Sequence, residues 1–260
     1  MKPIVIKIGG STLGSVDTTL EDLVTLQKRN IPVVVVHGGG KTITEWLTRL
    51  NIPTKFVQGL RVTDEDSLGV VTAVLAGLVN KELVSAIWRL GGRAVGISGA
   101  DGNLIQAETM TTEFGYIGEK LKADNHIIDT LLKENYIPVI APVSLAAMSN
   151  DKGINILNVN GDTAAAEIAA SLKAEKLVFL TDVPGILDGS KKLISKLRAG
   201  EVEGMVSSGT ATGGMAAKMV ACLTALRAVE MIRIIDGRVS HALLREIEGK
   251  GDGTTIVRNT

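Results

Sequence analysis

Short β-branched runs that stop at glycine-bearing turns recur along this chain, and they narrow its fold more than any other feature. Apolar runs lie at 4–8, 32–36, 94–97, 137–141, 177–180, 232–235 and 254–257. Continuous runs of this length suit strands buried on both faces, as in a largely parallel sheet. Longer stretches with helical character lie between them, at 18–28, 42–50, 65–88, 127–134, 162–172, 214–229 and 241–246. The alternation predicts an α/β fold, a three-layer sandwich with a mostly parallel central sheet between helix layers. Stretches 52–62 and 103–122 break the pattern and read as hairpins, suited to lids, interfaces or surface decoration. No Ser/Gly/Pro linker or internal repeat divides the chain, so one compact unit with two lobes is expected.

The turns carry the chemistry. They are VIKIGGS (5–11), VVVVHGGGK (33–41), LNVNGDT (157–163) and GGMAAK (213–218). Glycine lets backbone N–H groups approach an anion with no Cβ in the way, and a helix starting just after adds its positive end. Several such turns in one chain point to a polyphosphate-like ligand and to phosphoryl transfer. The commoner nucleotide signatures are missing: there is no G-x-G-x-x-G, and Val35 stands where a Walker A loop ending in Gly40-Lys41-Thr42 would need its first glycine. The HGGG of residues 37–40 resembles an esterase oxyanion loop, but no G-x-S-x-G accompanies it.

Composition removes other classes. Lys plus Arg and Asp plus Glu are 28 each, so no global field attracts nucleic acid or an anionic membrane. Aromatic residues are only 3%, too few for a platform that stacks bases. His37, His126, His241 and the single Cys222 show no metal-ligand spacing, so a metal would arrive on a ligand's phosphates. Cys222 itself reads as packing on a helix face, in a reducing compartment. The chain opens on a strand rather than a signal peptide, and no apolar run approaches the roughly 18–20 residues of a membrane span. A cytoplasmic protein is expected.

Four charged side chains stand out. Lys7 interrupts an apolar strand and is read as facing away from Val5, near the carboxyl end where open α/β sheets bind ligands. An ammonium there must be paired or reach an anion. Lys218 follows Gly213-Gly214 by about a helical turn. Asp162 opens a helix, as a capping carboxylate does, and could hold two lysines that converge on phosphate. Arg61 follows a hairpin and could grip a carboxylate bidentately.

The ordered motifs KIGGS, VHGGGK, GLRVTD, GISGADG, LNVNGD, FLTDVPGIL and GGMAAK span Lys7 to Lys218, with HALLREI and GDGT beyond. Together they resemble the amino-acid kinase family, with its carbamate kinase-like fold, and within it the branch acting on N-acetyl-L-glutamate. The resemblance implies ATP as co-substrate with Mg2+ held mainly by the nucleotide phosphates, and an acyl phosphate product. It implies an acceptor lobe over about 1–172 and an ATP lobe over about 173–260. Lys7 and Lys218 would neutralise charge on the transferred phosphoryl group, and Asp162 would organise them. Gly10 and Gly39 would offer N–H groups to phosphate. Gly39, Gly40, Arg61 and Asn158 would hold the acceptor, with Arg61 on its α-carboxylate. Gly9, Gly10, Asp182, Val183, Pro184, Gly185, Ile186, Leu187, Thr210, Ala211 and Thr212 would line the ATP site.

Two residues depart from the family pattern: Ala100 replaces a frequent lysine, and Gly161 a frequent alanine. The branch that phosphorylates a carrier-linked aminoadipate or glutamate, and a non-catalytic amino-acid sensor on the same scaffold, remain alternatives. In the resembled family, arginine-inhibited rings are joined by an extra N-terminal helix. Only three residues precede Ile4 here, so a homodimer with little arginine inhibition is expected.

Overall fold

The structure is a computed structural model and describes residues 1–9, 18–57, 59–148, 153, 155–211 and 213–259. Its first ten strands are β1 (Ile4–Ile8), β2 (Val33–His37), β3 (Phe56–Val57), β4 (Leu60–Arg61), β5 (Ala94–Ser98), β6 (Ile105–Thr109), β7 (Gly118–Ala123), β8 (Ile137–Ala141), β9 (Val143–Ala146) and β10 (Ile156–Asn158). The last four are β11 (Lys176–Thr181), β12 (Lys196–Arg198), β13 (Met231–Asp236) and β14 (Thr254–Val257). The helices are α1 (Thr19–Lys28), α2 (Gly40–Arg49), α3 (Glu65–Thr72), α4 (Asn80–Arg89), α5 (His126–Lys133), α6 (Gly161–Ser171), α7 (Ala199–Ser207), α8 (Gly213–Ala225) and α9 (Ala242–Ile247).

An eight-stranded sheet in the order β12-β14-β13-β11-β1-β2-β8-β5 forms the centre. Its pairings are parallel except β13 with β14. Strand periodicity sorts the core into two layers. Val5, Val34, Val36, Leu177 and Phe179 face α5 to α8, while Ile6, Ile8, Val33, Val35 and Leu180 face α1 to α4 and α9. The α/β sandwich is therefore as expected. The chain leaves β1 toward β2 on one side and later returns to β11 on the other, so the crevice at their carboxyl ends is a topological switch point.

Several local readings change. Stretch 52–62 does form a hairpin, β3 with β4. Stretch 103–122 also forms a hairpin, β6 with β7, and β6 pairs in addition with β9, completing a second sheet, β10-β9-β6-β7. The helix expected at 65–88 runs through a π-helical turn, Ala73–Val79, between α3 and α4. Strands β9, β10 and β12 and helix α7 have no counterpart among the expected elements. β12 is three residues with only Leu197 buried, and α7 buries only Val202, so neither leaves a periodic trace.

The continuous helix from Glu65 to Arg89 is long and apolar enough, by length and composition, to cross a bilayer. One side of it, Val71, Val74, Leu75, Val79, Leu83 and Ile87, belongs to the core beneath the sheet. The opposite side exposes Gly69, Ala73 and Gly77.

Candidate active site

Asp162 is the hub. Asn160 caps α6, its side-chain oxygen accepting from the N–H groups of Asp162 at 2.9 Å and Thr163 at 3.1 Å. The cap fixes the first turn and turns the Asp162 carboxylate toward β1 and α8. There Oδ1 stands 2.8 Å from Lys7 Nζ and Oδ2 2.7 Å from Lys218 Nζ, with all three side chains about nine-tenths buried. Lys218 also lies 4.7 Å above the Phe179 ring. Lys7 points to the Val5 side of the sheet, not away from it, because residues two apart on a strand share a face.

Burial raises the Asp162 pKa, but the charges of Lys7 and Lys218 outweigh it, and the carboxyl is held below its ordinary value. Burial pulls Lys218 below the usual lysine value, against the attraction of Asp162, and the neighbouring charge of Lys7 adds to the fall. The cluster carries two ammonium groups and one carboxylate, a net positive charge in a poorly hydrated place. That is what a transferring phosphoryl group requires.

Lys7 and Asp162 form the floor of a cavity of about 230 Å3, walled by Gly38, Gly39, Gly40, Arg61 and Asn158. Helix α2 begins at this wall, and its N-cap Gly39 supplies no side chain to satisfy the first N–H groups. A Cβ on Gly39 would press on Leu75 at 2.7 Å, so the backbone itself lies against the helix behind it. Arg61 arrives on β4 and is buried. Its Nη2 donates to Gly40 O at 2.9 Å and Thr44 Oγ1 at 2.7 Å, while its guanidinium stacks on Phe56 at 4.7 Å. Of the two nitrogens of the bidentate grip expected of Arg61, Nη2 is thus already engaged, while Nη1 is buried with no partner among the described residues. Asn158 Nδ2 donates to Thr63 Oγ1 at 3.0 Å, and Thr63 in turn donates to Arg61 O, so the two acceptor candidates are linked.

The residues expected around ATP stand apart from this cavity. Asp182 and Pro184 are exposed and Val183 half-buried just past β11. Gly185 and Ile186 serve packing: a Cβ on Gly185 would strike Leu193 and Thr254, and Ile186 N–H donates to Thr254 Oγ1 at 2.8 Å. Leu187 is exposed and bridges Leu193. Thr210 Oγ1 bonds Ser208 Oγ at 2.8 Å, and Ala211 N–H reaches Met205 O, both ahead of α8. Gly9 N–H donates to Leu180 O at 3.2 Å, which extends the sheet rather than meeting a ligand. Gly10 and Thr212 lie outside the described residues.

The departures from the family pattern are accommodated. A Cβ on Gly161 would make an ordinary 3.4 Å contact with Lys7 Cε, so either glycine or alanine fits. Ala100 does not line the cavity. Cys222 is fully buried in the core, and burial pushes its thiol pKa well up, in keeping with packing. Reasoning from sequence missed Thr44, Phe56, Thr63 and Phe179, which meet the site only through tertiary contacts. The helix cap is Asn160 rather than Asp162, which stands in the first turn; Asn160 too was missed, although an Asn just ahead of Gly-Asp-Thr is a cap signal.

The sequence model described as "Amino acid kinase family" matches residues 2–236. Acetylglutamate kinase from Dehalococcoides mccartyi is 44% identical over 255 residues, covering 98% of this chain and 94% of that protein. The N-acetylglutamate synthase from Neisseria gonorrhoeae, solved with coenzyme A and N-acetyl-glutamate, superposes with a TM-score of 0.84 at 26% identity, over 100% of this chain and 60% of the other. Carbamate kinase from Giardia lamblia, bound to AMP-PNP, shares the fold with a TM-score of 0.71 at 16% identity, over 99% of each chain.

Proposed function

Because this chain belongs to the amino acid kinase family, we propose that it transfers the γ-phosphoryl group of ATP to the side-chain carboxylate of N-acetyl-L-glutamate, a step of arginine biosynthesis. The product is N-acetyl-L-glutamyl 5-phosphate. The observation that carries the reading is the Lys7–Asp162–Lys218 cluster: Lys7 and Asp162 floor a cavity walled by a helix N-terminus and a buried arginine, and Lys218 holds the far oxygen of Asp162. The 44% identity to an acetylglutamate kinase over nearly the whole chain supports the acceptor.

A carboxylate acceptor is ionised at neutral pH, with a pKa of about 4.3, and needs no general base. The chemistry is instead to bring two anions together in line and stabilise the charge that develops between them. Lys7 and Lys218 supply that charge, and Asp162 keeps both ammonium groups in register. Gly39 and Gly40 present the start of α2 to anionic oxygens, while Arg61 Nη1 and Asn158 hold the acceptor. Among the described residues, Asp162 is the one carboxylate lining the cavity, and both its oxygens already face lysines, so these residues suit a Mg2+ carried by the nucleotide phosphates. The acceptor lobe spans about 1–172 and the ATP lobe about 173–260, with 182–187 and 210–212 on the nucleotide side.

Two copies are expected to associate. The exposed Gly69, Ala73 and Gly77 side of the long helix is apolar and lets a second backbone approach closely. A cytoplasmic setting fits the lone buried thiol.

The test is a panel of acceptors with ATP and Mg2+, trapping acyl phosphate with hydroxylamine. N-acetyl-L-glutamate should give hydroxamate at a far higher kcat/KM than free glutamate, aspartate or carrier-linked aminoadipate. Hydroxamate only from the carrier-linked acceptor, or from none, would overturn the assignment.

A further inference from the structure

The wall of the cavity formed by Gly38 and Gly39 is held from behind by two buried side chains that the proposed reaction does not otherwise use. His37 ends β2 and is wholly buried. Its Nδ1 lies 2.9 Å from Gly38 O, and its Nε2 lies 3.2 Å from Asn80 Nδ2. Asn80 is equally buried and follows the π-helical turn. Such turns often mark functional positions.

The neighbours of Asn80 determine which way its amide points. Lys81 Nζ, a donor only, is 3.0 Å from Oδ1, while Nδ2 faces the backbone oxygens of Val139 at 2.9 Å and Ile97 at 3.3 Å. Nδ2 is therefore the donor toward His37, and Nε2 must accept. The neutral imidazole then carries its proton on Nδ1 and donates it to Gly38 O. The carbonyl of Gly38 and the N–H of Gly39 belong to one trans peptide and point in opposite directions. Tying that carbonyl to the buried ring leaves the Gly39 N–H facing away from the ring, and Gly39 lines the cavity.

We propose that His37 is a positioning residue, set in its Nδ1–H form by Asn80, which aims the Gly39 N–H at the anion bound between α2 and Lys7. The proposal rests on the kinase reading for the identity of that anion. Charge on the ring fits the same picture. Burial lowers the His37 pKa foremost, the Gly38 bond opposes this, and the cations that face it, Lys7 from β1 and Lys81 from α4, lower it further, to about 4. The ring stays neutral above that pH and adds no third cation beside Lys7. Gly96 belongs to the arrangement too: a Cβ there would collide with Asn80 Oδ1, so glycine makes room for the amide.

The experiment reads the ring directly. In uniformly 15N-labelled protein, the His37 nitrogens should show a protonated Nδ1 and an unprotonated Nε2 from pH 6 to 8. Adding AMP-PNP with Mg2+ should shift the Gly39 amide resonance. In Asn80→Asp, the new carboxylate draws the ring proton to Nε2, so the Gly38 contact is lost at neutral pH. As pH falls and the ring gains its second proton, both nitrogens donate and the contact returns. The kcat of Asn80→Asp should therefore drop by up to about 10²-fold at neutral pH, the scale of one lost preorganised donor. It should recover on acidification in step with the ring titration, whereas Asn80→Leu should stay low throughout. A wild-type ring protonated on Nε2, or a Gly39 amide unmoved by nucleotide, overturns the proposal whatever the variants do. If the tautomer and amide shift are as expected but no acceptor yields acyl phosphate, the acceptor assignment fails while the positioning role stands.

Discussion

Lys7 and Lys218 carry the same charge to the same carboxylate from different directions. Lys7 comes off a strand and lines the cavity, while Lys218 reaches across from α8 over the face of Phe179. Both positions are fixed by packing, so neither lysine must reorganise when charge develops on the phosphoryl group. Replacing either with Ala should lower kcat by about 10²-fold or more with the fold retained. Steady-state kinetics on folded variants checks this, and unchanged turnover in one would remove that lysine from the mechanism. Arg61 should act on binding instead. Arg61→Lys keeps a charge but loses the free Nη1 and the fork that holds Gly40 and Thr44. The acceptor KM should rise roughly ten- to hundredfold, matching about 1.5–3 kcal/mol for a charged hydrogen bond, with the ATP KM little changed. A rise confined to ATP would place Arg61 in the wrong half of the site. Single residues of this kind were legible when they broke a local rule, as an ammonium in an apolar strand does. His37 and Asn80 broke none, because a buried His beside glycines and an Asn within a helix become informative only when folding brings them together.

Among the elements, α9 is fastened to α1 by a titratable contact. Asp22 is fully buried on α1, accepting from Leu244 N–H at 3.1 Å and lying 2.6 Å from His241 Nδ1, and His241 N–H bonds Thr18. The hydrogen bond and charge of Asp22 raise the His241 pKa above 6.5. A group whose folded pKa is raised gives its full stabilisation below the unfolded value and loses it as pH rises through the folded one. The melting temperature should therefore decline as pH climbs above 6.5, and His241→Gln should flatten that decline. An identical pH profile for both proteins would show that the contact is silent. The elements themselves were legible in proportion to their burial. Strands of the central sheet, buried on both faces, left unbroken apolar runs, and the sheet order could then follow the rules for α/β connections. Strands β9 and β10 stand in the second sheet, where β9 pairs with β6 and β10 with β9, and nothing local in ILN or VSLA distinguishes strand from loop. The β3–β4 hairpin was visible in its glycine turn, but its hold on α2 through Arg61 was not.

At the scale of the molecule, the long helix sets the expected assembly. Light scattering should return a dimer, and Ala73→Glu, which places a charge on the exposed small-residue side, should shift it toward monomer. A wild-type monomer at micromolar concentration would refute this. The carboxylate shared by the two lysines also bears on how a cycle ends. Both products of the proposed reaction are phosphate anions, and a centre that held two uncompensated ammonium groups would retain them. Asp162 faces both ammonium groups, so it is expected to cancel part of that attraction and moderate the pull on phosphate after transfer. In Asp162→Asn, ADP should accordingly become a stronger product inhibitor while turnover falls, and its inhibition constant measures the effect. Weaker ADP inhibition would mean that the carboxylate only orients the lysines. On the expected outcome, Asp162 would limit product retention as well as brace the two lysines it contacts.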